Sequence, residues 1–162
     1  MSTPPVRCLI LACGNTLRCD DGIGPWLAQW AEEKFRDNLA IRVISRQQWT
    51  PDLAEEIAAA ESVLFIDCSI ASAPGSVAIN EVQPSAPAAG LATHHQGASE
   101  LLALALELYN SLPRSAQLLT IGAASTELGE QFSDPVLDAI PTACSLLERT
   151  ILDLLRKHDQ RR

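Results

Sequence analysis

The chain has 162 residues, of which 47% are hydrophobic and 20% charged; that length and mixture can bury a core and excludes an intrinsically disordered chain. Twenty acidic residues against twelve basic ones leave a net charge of -8, and four of the basic residues, Arg156, Lys157, Arg161 and Arg162, stand in the last seven positions. The body is therefore more acidic still, which excludes non-specific nucleic-acid binding and favours a cation or a basic peptide as partner.

Arg7 to Cys13 is a short apolar run ending at Gly14-Asn15, and it reads as a strand buried on both faces. From Gly22 to Phe35, residues Ile23, Trp26, Leu27, Trp30, Ala31 and Phe35 recur at helical spacing. Ile41 to Ser45 is read as a second strand. Thr50-Pro51 is a helix start, with Thr as cap and Pro at the first position, and Leu53 and Ile57 supply the apolar face. Ser62 to Asp67 is a third, strongly β-forming run. Ala73-Pro74-Gly75-Ser76 is a turn, followed by a fourth strand from Val77 to Val82. A link this short has no room for a helical crossover, so strands three and four are expected to be antiparallel. Gln83 to Ala92 is rich in Pro and Ala and reads as a loop. Ala98 to Asn110 is helical, with Leu101, Leu102, Ala105, Leu106 and Tyr109 inward, and Gln117 to Gly122 is a fifth strand. Asp134-Pro135 opens a long last helix through about Lys157, which Pro141 should kink.

This order predicts an α/β three-layer sandwich. Its sheet has five strands, mostly parallel with one antiparallel, and helices cover both faces, in one domain over residues 1–162 without repeats or linkers. No apolar run is long enough to cross a membrane or to form the core of a secretion signal, so a cytoplasmic protein is expected. The five cysteines, at 8, 13, 19, 68 and 144, are odd in number and contain no C-x-x-C pair. Reduced, packed thiols are expected, and a structural zinc site is not.

Ligands in such sheets sit beyond the carboxyl ends of the strands. That rule selects the loop after Cys13, the end of strand three at Asp67, and the segment near His94. The first loop, Gly14-Asn15-Thr16-Leu17-Arg18-Cys19-Asp20-Asp21-Gly22-Ile23-Gly24, brings two adjacent carboxylates to the mouth of a helix. Helix capping accounts for one of them and does not require the second. Asp67 ends an otherwise apolar strand, where a carboxylate must be paired, hydrogen-bonded or metal-bound. His94-His95 precedes a helix; side chains of adjacent residues splay apart, so one of the two, not both, would join a metal. A carboxylate from each of two strand-end loops plus one imidazole makes a mixed oxygen and nitrogen site suited to nickel, zinc or cadmium. Cys19 and Cys68 flank the acids and read as small packing residues. The glycine pattern is neither a dinucleotide fingerprint nor a P-loop, and no G-x-S-x-G nucleophile elbow occurs. Trp26, Trp30 and Trp49 read as core or rim packing.

Together these residues resemble the [NiFe]-hydrogenase maturation endopeptidases. Gly14-Asn15-x-Leu17-x-x-Asp20-Asp21-Gly22-x-Gly24 looks like the opening signature of that family, Val63-Leu64-Phe65-Ile66-Asp67 is similar to its second motif, and His94 before Glu100-Leu101-Leu102 matches its third. The resemblance implies an endopeptidase that removes a C-terminal extension from the nickel-loaded large-subunit precursor of a hydrogenase. It further implies a metal-binding and catalytic set of Asp21, Asp67 and His94, with His95 the alternative to His94 and Asp20 assigned to loop structure. The nickel would be supplied by the substrate, and cadmium or zinc would occupy the site in vitro. Peptide hydrolysis through a metal-polarised carbonyl or water, with a carboxylate accepting a proton, is the chemistry implied. The precursor is the one partner expected, with no nucleic acid or membrane and with a monomer as the resting state. Two departures stand out. Asp21 occupies a position where many members carry Glu, and Gln47-Gln48-Trp49-Thr50-Pro51 replaces a Gly-containing segment after strand two, a stretch expected to line the substrate cleft. The alternative is a non-catalytic metal-binding domain or a receiver-like signalling module, which also gathers acids at the ends of strands one and three. Against the receiver stand the distance of Asp20-Asp21 from strand one and the absence of a Lys ending strand five.

Overall fold

In the computed structural model, residues 5–85 and 97–159 are described. The elements are β1 (Cys8–Cys13), α1 (Ile23–Lys34), β2 (Ile41–Arg46), α2 (Leu53–Ala59), β3 (Ser62–Ser69), β4 (Val77–Glu81), α3 (Ala98–Tyr109), β5 (Ser115–Gly122) and α4 (Asp134–Asp159). Every residue of β1 is buried because the strand lies inside the sheet and both its faces are covered. Strand alternation divides its side chains: Cys8, Ile10 and Ala12 meet α1 and α4, while Leu9, Leu11 and Cys13 meet α2 and α3. In β3, Leu64 and Ile66 belong to the first face, and Val63 and Phe65 to the second. The result is a three-layer α/β sandwich with two apolar cores. In α4, Val136, Ala139, Ala143, Leu147, Ile151 and Leu154 form the buried stripe at helical spacing. The helix runs through Pro141 without interruption. No helix among the described residues is long and apolar enough to cross a membrane.

The strand order is β2-β1-β3-β5-β4, parallel throughout except for β4, which pairs antiparallel with β5. The expected antiparallel sense of β4 holds, but β5 inserts between β3 and β4. The short link after β3 therefore crosses the end of β5 instead of forming a hairpin. Gly122 makes this crossing possible. Its N–H donates to Ser76 O at 2.9 Å and its carbonyl accepts from Gly75 N–H at 2.8 Å. A Cβ there would stand 1.9 Å from the carbonyl oxygen of Ala73.

Other differences have local causes. The second helix starts at Leu53, because the Thr50 hydroxyl bonds to the Asp52 carboxylate and residues 50–53 form a turn instead of a Thr-capped start. Leu106 and Tyr109 of α3 are exposed, since α3 meets the sheet and α2 through the narrower stripe Ala98, Leu101, Leu102 and Ala105. The loop expected over Gln83–Ala92 lies outside the described residues from position 86 onward.

The connection from β1 to β2 uses α1 on one face, and that from β2 to β3 uses α2 on the other. The winding reverses between β1 and β3, and a crevice opens at their carboxyl ends. Gly122→Ala is expected to destabilise the protein by about 2 kcal/mol, the usual scale for forcing a side chain into a packed site; a urea midpoint equal to wild type would show that the crossing loop yields.

Candidate active site

Asp20 and Asp21 sit on one short 3-10 turn, Cys19–Gly22, and the fold gives them opposite surroundings. Asp20 is fully buried. Its Oδ2 accepts from the N–H groups of Ala124 (2.8 Å) and Ser125 (3.0 Å) and from the Ser133 hydroxyl (2.7 Å), and its Oδ1 from Ser133 N–H (2.7 Å). Burial alone would raise the pKa of this carboxyl, but the bonds from Ser133, Ser125 and Ala124 outweigh burial and hold it below the usual carboxylate range. Backbone bonds add to this tie: Cys19 N–H donates to Gly129 O at 2.7 Å, and Gly129 N–H to Leu17 O at 2.9 Å. Neither acid caps a helix with its side chain. Asp20 instead staples the first loop to the loop before α4.

Asp21 is half-buried at the crevice. Its Oδ2 accepts from Asn15 N–H at 2.7 Å, while Asn15 Oδ1 accepts from Leu17 N–H at 2.9 Å and shapes the turn. Gly14, at φ 150°, lets the loop fold back until a Cβ there would lie 2.0 Å from the Asp21 carbonyl oxygen. One carboxylate oxygen of Asp21 is thus anchored and the other, Oδ1, carries no hydrogen bond among the described residues.

Asp67 lies beyond Phe65 on the α2 and α3 face of β3, in register with the end of β1. Its Oδ1 accepts from the Cys13 thiol at 3.2 Å and from Cys68 N–H at 2.8 Å. Oδ2 is left without a partner among the described residues. Burial pushes the Asp67 carboxyl above its ordinary value. The bonds from Cys13 and Cys68 oppose that rise, and the nearby charge of Asp21 adds to it. Burial and the charges of Asp21, Asp67 and Asp20 push the Cys68 thiol up to about 12, and burial with Asp67 raises that of Cys13 as well. Both thiols therefore stay protonated at neutral pH and serve as a donor and as packing, not as nucleophiles. All five cysteines are free.

Asp21 and Asp67 line one open cleft of about 830 Å³. Gln47, Gln48 and Trp49 after β2 form another part of its wall, as the segment's position predicted, and Glu100 enters from the start of α3. Glu100 accepts from Gly97 N–H at 2.6 Å, the helix-start half of a capping box, and fixes where α3 begins. Glu100, Arg18 and Thr126 are cleft residues that motif reading did not single out for chemistry. The Gly-x-x-Glu spacing at the head of α3 was the available signal for Glu100; Thr126 had none. Trp49 is core packing only in part. Its ring meets Phe65 edge to face at a centroid distance of 5.1 Å, yet its buried N–H finds no acceptor among the described residues, an omission that costs about 1–3 kcal/mol.

His94 and His95 lie outside the described residues. Within the described residues no three His, Cys, Asp or Glu side chains form a group able to hold a metal ion; Asp21 and Asp67 supply two carboxylates with one uncommitted oxygen each. Hard oxygen donors in an acidic cleft suit a divalent cation that brings ligands of its own. The antiparallel β4 at the sheet edge departs from the all-parallel 2-1-3-4-5 order of receiver-type domains, which removes that alternative.

No protein-family model and no curated protein matches the sequence. Solved structures do match. The hydrogenase maturating endopeptidase HybD from E. coli aligns with a TM-score of 0.73 and 19% identity, over 91% of this chain and 93% of that one. The [NiFe] hydrogenase maturation protease HycI from Thermococcus kodakarensis KOD1 aligns at 0.68 and 22% identity, over 95% of each chain. The hydrogenase 2 maturation peptidase from Thaumarchaeota archaeon SCGC_AB-539-E09 aligns at 0.63 and 22% identity, over 90% of this chain and 97% of that one. At these identities the likeness establishes the fold.

The two neighbouring acids are separable by stability. Asp20→Ala leaves three part-buried N–H groups and a hydroxyl without their acceptor and is expected to lower the unfolding free energy by about 3 kcal/mol. Asp21→Asn keeps a carbonyl oxygen for Asn15 N–H and should stay within about 1 kcal/mol of wild type. Equal losses in urea unfolding would contradict this division.

Proposed function

We propose that this chain is an endopeptidase that removes a C-terminal extension from the nickel-loaded large-subunit precursor of a [NiFe]-hydrogenase. One observation carries the reading: two carboxylates, one from the loop after β1 and one from the end of β3, each tethered through one oxygen and without a partner at the other among the described residues, share one cleft at the winding reversal. The fold, common to hydrogenase maturation proteases across about nine-tenths of the chain, supports it.

In this reading the nickel arrives as part of the substrate. Asp21 Oδ1 and Asp67 Oδ2 bind it, and His94 completes the protein's share of the ligands. So few protein ligands suit a site that reads a metal held elsewhere and releases it after cleavage. Binding the metal places the peptide bond to be cut beside the two acids. Water adds to the carbonyl carbon, the C–N bond breaks, and the leaving amine takes up a proton. A carboxylate of the pair accepts the proton released by the attacking water. The reaction takes place in the cytoplasm.

Intact-mass analysis of a nickel-loaded precursor from the same source tests the reading. Wild type is expected to release a C-terminal peptide, and a nickel-free precursor should remain uncut. Asp21→Asn and Asp67→Asn should each slow cleavage by at least about 100-fold. His94→Ala should do the same, while His95→Ala should stay near wild type; the reverse pattern would move the ligand to His95. An unchanged mass with a folded, nickel-loaded precursor would refute the protease assignment.

A further inference from the structure

We propose that Trp49 is a substrate-binding residue whose indole N–H donates to a backbone carbonyl of the peptide being removed; the assignment rests on the protease reading above. Trp49 is 5% exposed, and its ring is held edge to face on Phe65, two residues before Asp67 on β3. It belongs to the wall of the cleft that contains Asp21 and Asp67. The ring is thus fixed to the same strand that presents one of the two acids.

Packing explains the ring but not the N–H. A buried indole ordinarily finds an acceptor for its one donor. Here the N–H of Trp49 is the sole buried side-chain polar atom without a partner among the described residues. Gln47 and Gln48, which precede it, are exposed and line the same cleft. A ligand in the cleft supplies the missing acceptor. Asp21, Asp67 and Glu100 outnumber Arg18 among the charged residues lining the cleft, which disfavours a carboxylate beside them and favours a neutral carbonyl. An extended peptide presents such a carbonyl at every residue. Trp49 also lies in the segment where this sequence departs from the family pattern, so the contact would belong to this chain's own choice of substrate.

The test replaces Trp49 site-specifically with 3-benzothienylalanine, which keeps the bicyclic ring and puts sulfur in place of the N–H. KM and kcat for the nickel-loaded precursor are read by intact mass, and thermal unfolding is read on the free enzyme. KM should rise about tenfold, the equivalent of about 1.4 kcal/mol, with kcat within about twofold, the signature of lost uniform binding. The melting temperature of the free enzyme should stay level or rise, because the free protein loses a donor that had no acceptor. Trp49→Phe should share the rise in KM. An unchanged KM in the benzothienyl variant would overturn the assignment. A fall in its melting temperature would overturn it too, by showing that the N–H is already satisfied in the free protein. A wild-type enzyme that leaves the precursor uncut would remove the protease reading, and this assignment with it.

Discussion

A buried carboxylate with four donors, and no cation among the described residues, holds this site together. Asp20 is charged because the loop before α4 surrounds it with N–H and O–H groups, and those groups are satisfied because Asp20 is charged. Each side of the arrangement is costly alone. Removing the acid strands the donors, and moving the loop strands the acid. The first loop is thereby fixed to the end of the sheet, and Asp21, one residue on, inherits a fixed position. Sequence neighbours on a tight turn point in different directions, so the turn can spend one acid on structure and hold the next at the cleft.

The second constraint is the parallel register of β1 and β3. It sets Cys13 beside Asp67, and the Cys13 thiol donates to the carboxylate from within the sheet. Burial on this edge is what raises the Asp67 pKa, and Asp21 raises it further. Both effects weaken as soon as a cation enters, because a positive charge favours both ionised carboxylates. The Asp21 and Asp67 carboxyls thus act on each other at this end of the sheet.

Most of the fold could be read from residue order because its signals are local. The uninterrupted apolar runs Cys8–Cys13 and Val63–Ile66 mark buried parallel strands, and the Ala98 and Asp134 helices announce their starts. Strand order is not local. Nothing in Val77–Val82 says that β5 will insert before it, since that depends on pairing between segments some forty residues apart. The same holds for the acids. Asp20 and Asp21 are adjacent and chemically identical, and only donors more than a hundred residues away separate their roles. Leu106 and Tyr109 illustrate the limit of periodicity: they fit the apolar stripe of α3 but fall beyond the width that the sheet and α2 cover.

The cleft has two kinds of wall. One is built from strand ends and the Asp20 staple, where a change in any member disturbs several others. Gly14 cannot accept a side chain without displacing Asp21, and Asp67 cannot move without breaking its bond to β1. The other is the segment 47–49, which follows an edge strand and carries two exposed glutamines and one anchored ring. This second wall is the less constrained of the two, because β2 pairs on one side only and its exit does not pass through the interior of the sheet. Trp49 is the exception within that segment. Its ring is packed as firmly as a core residue while its donor is unspent among the described residues, the arrangement expected of a group positioned in advance for a ligand.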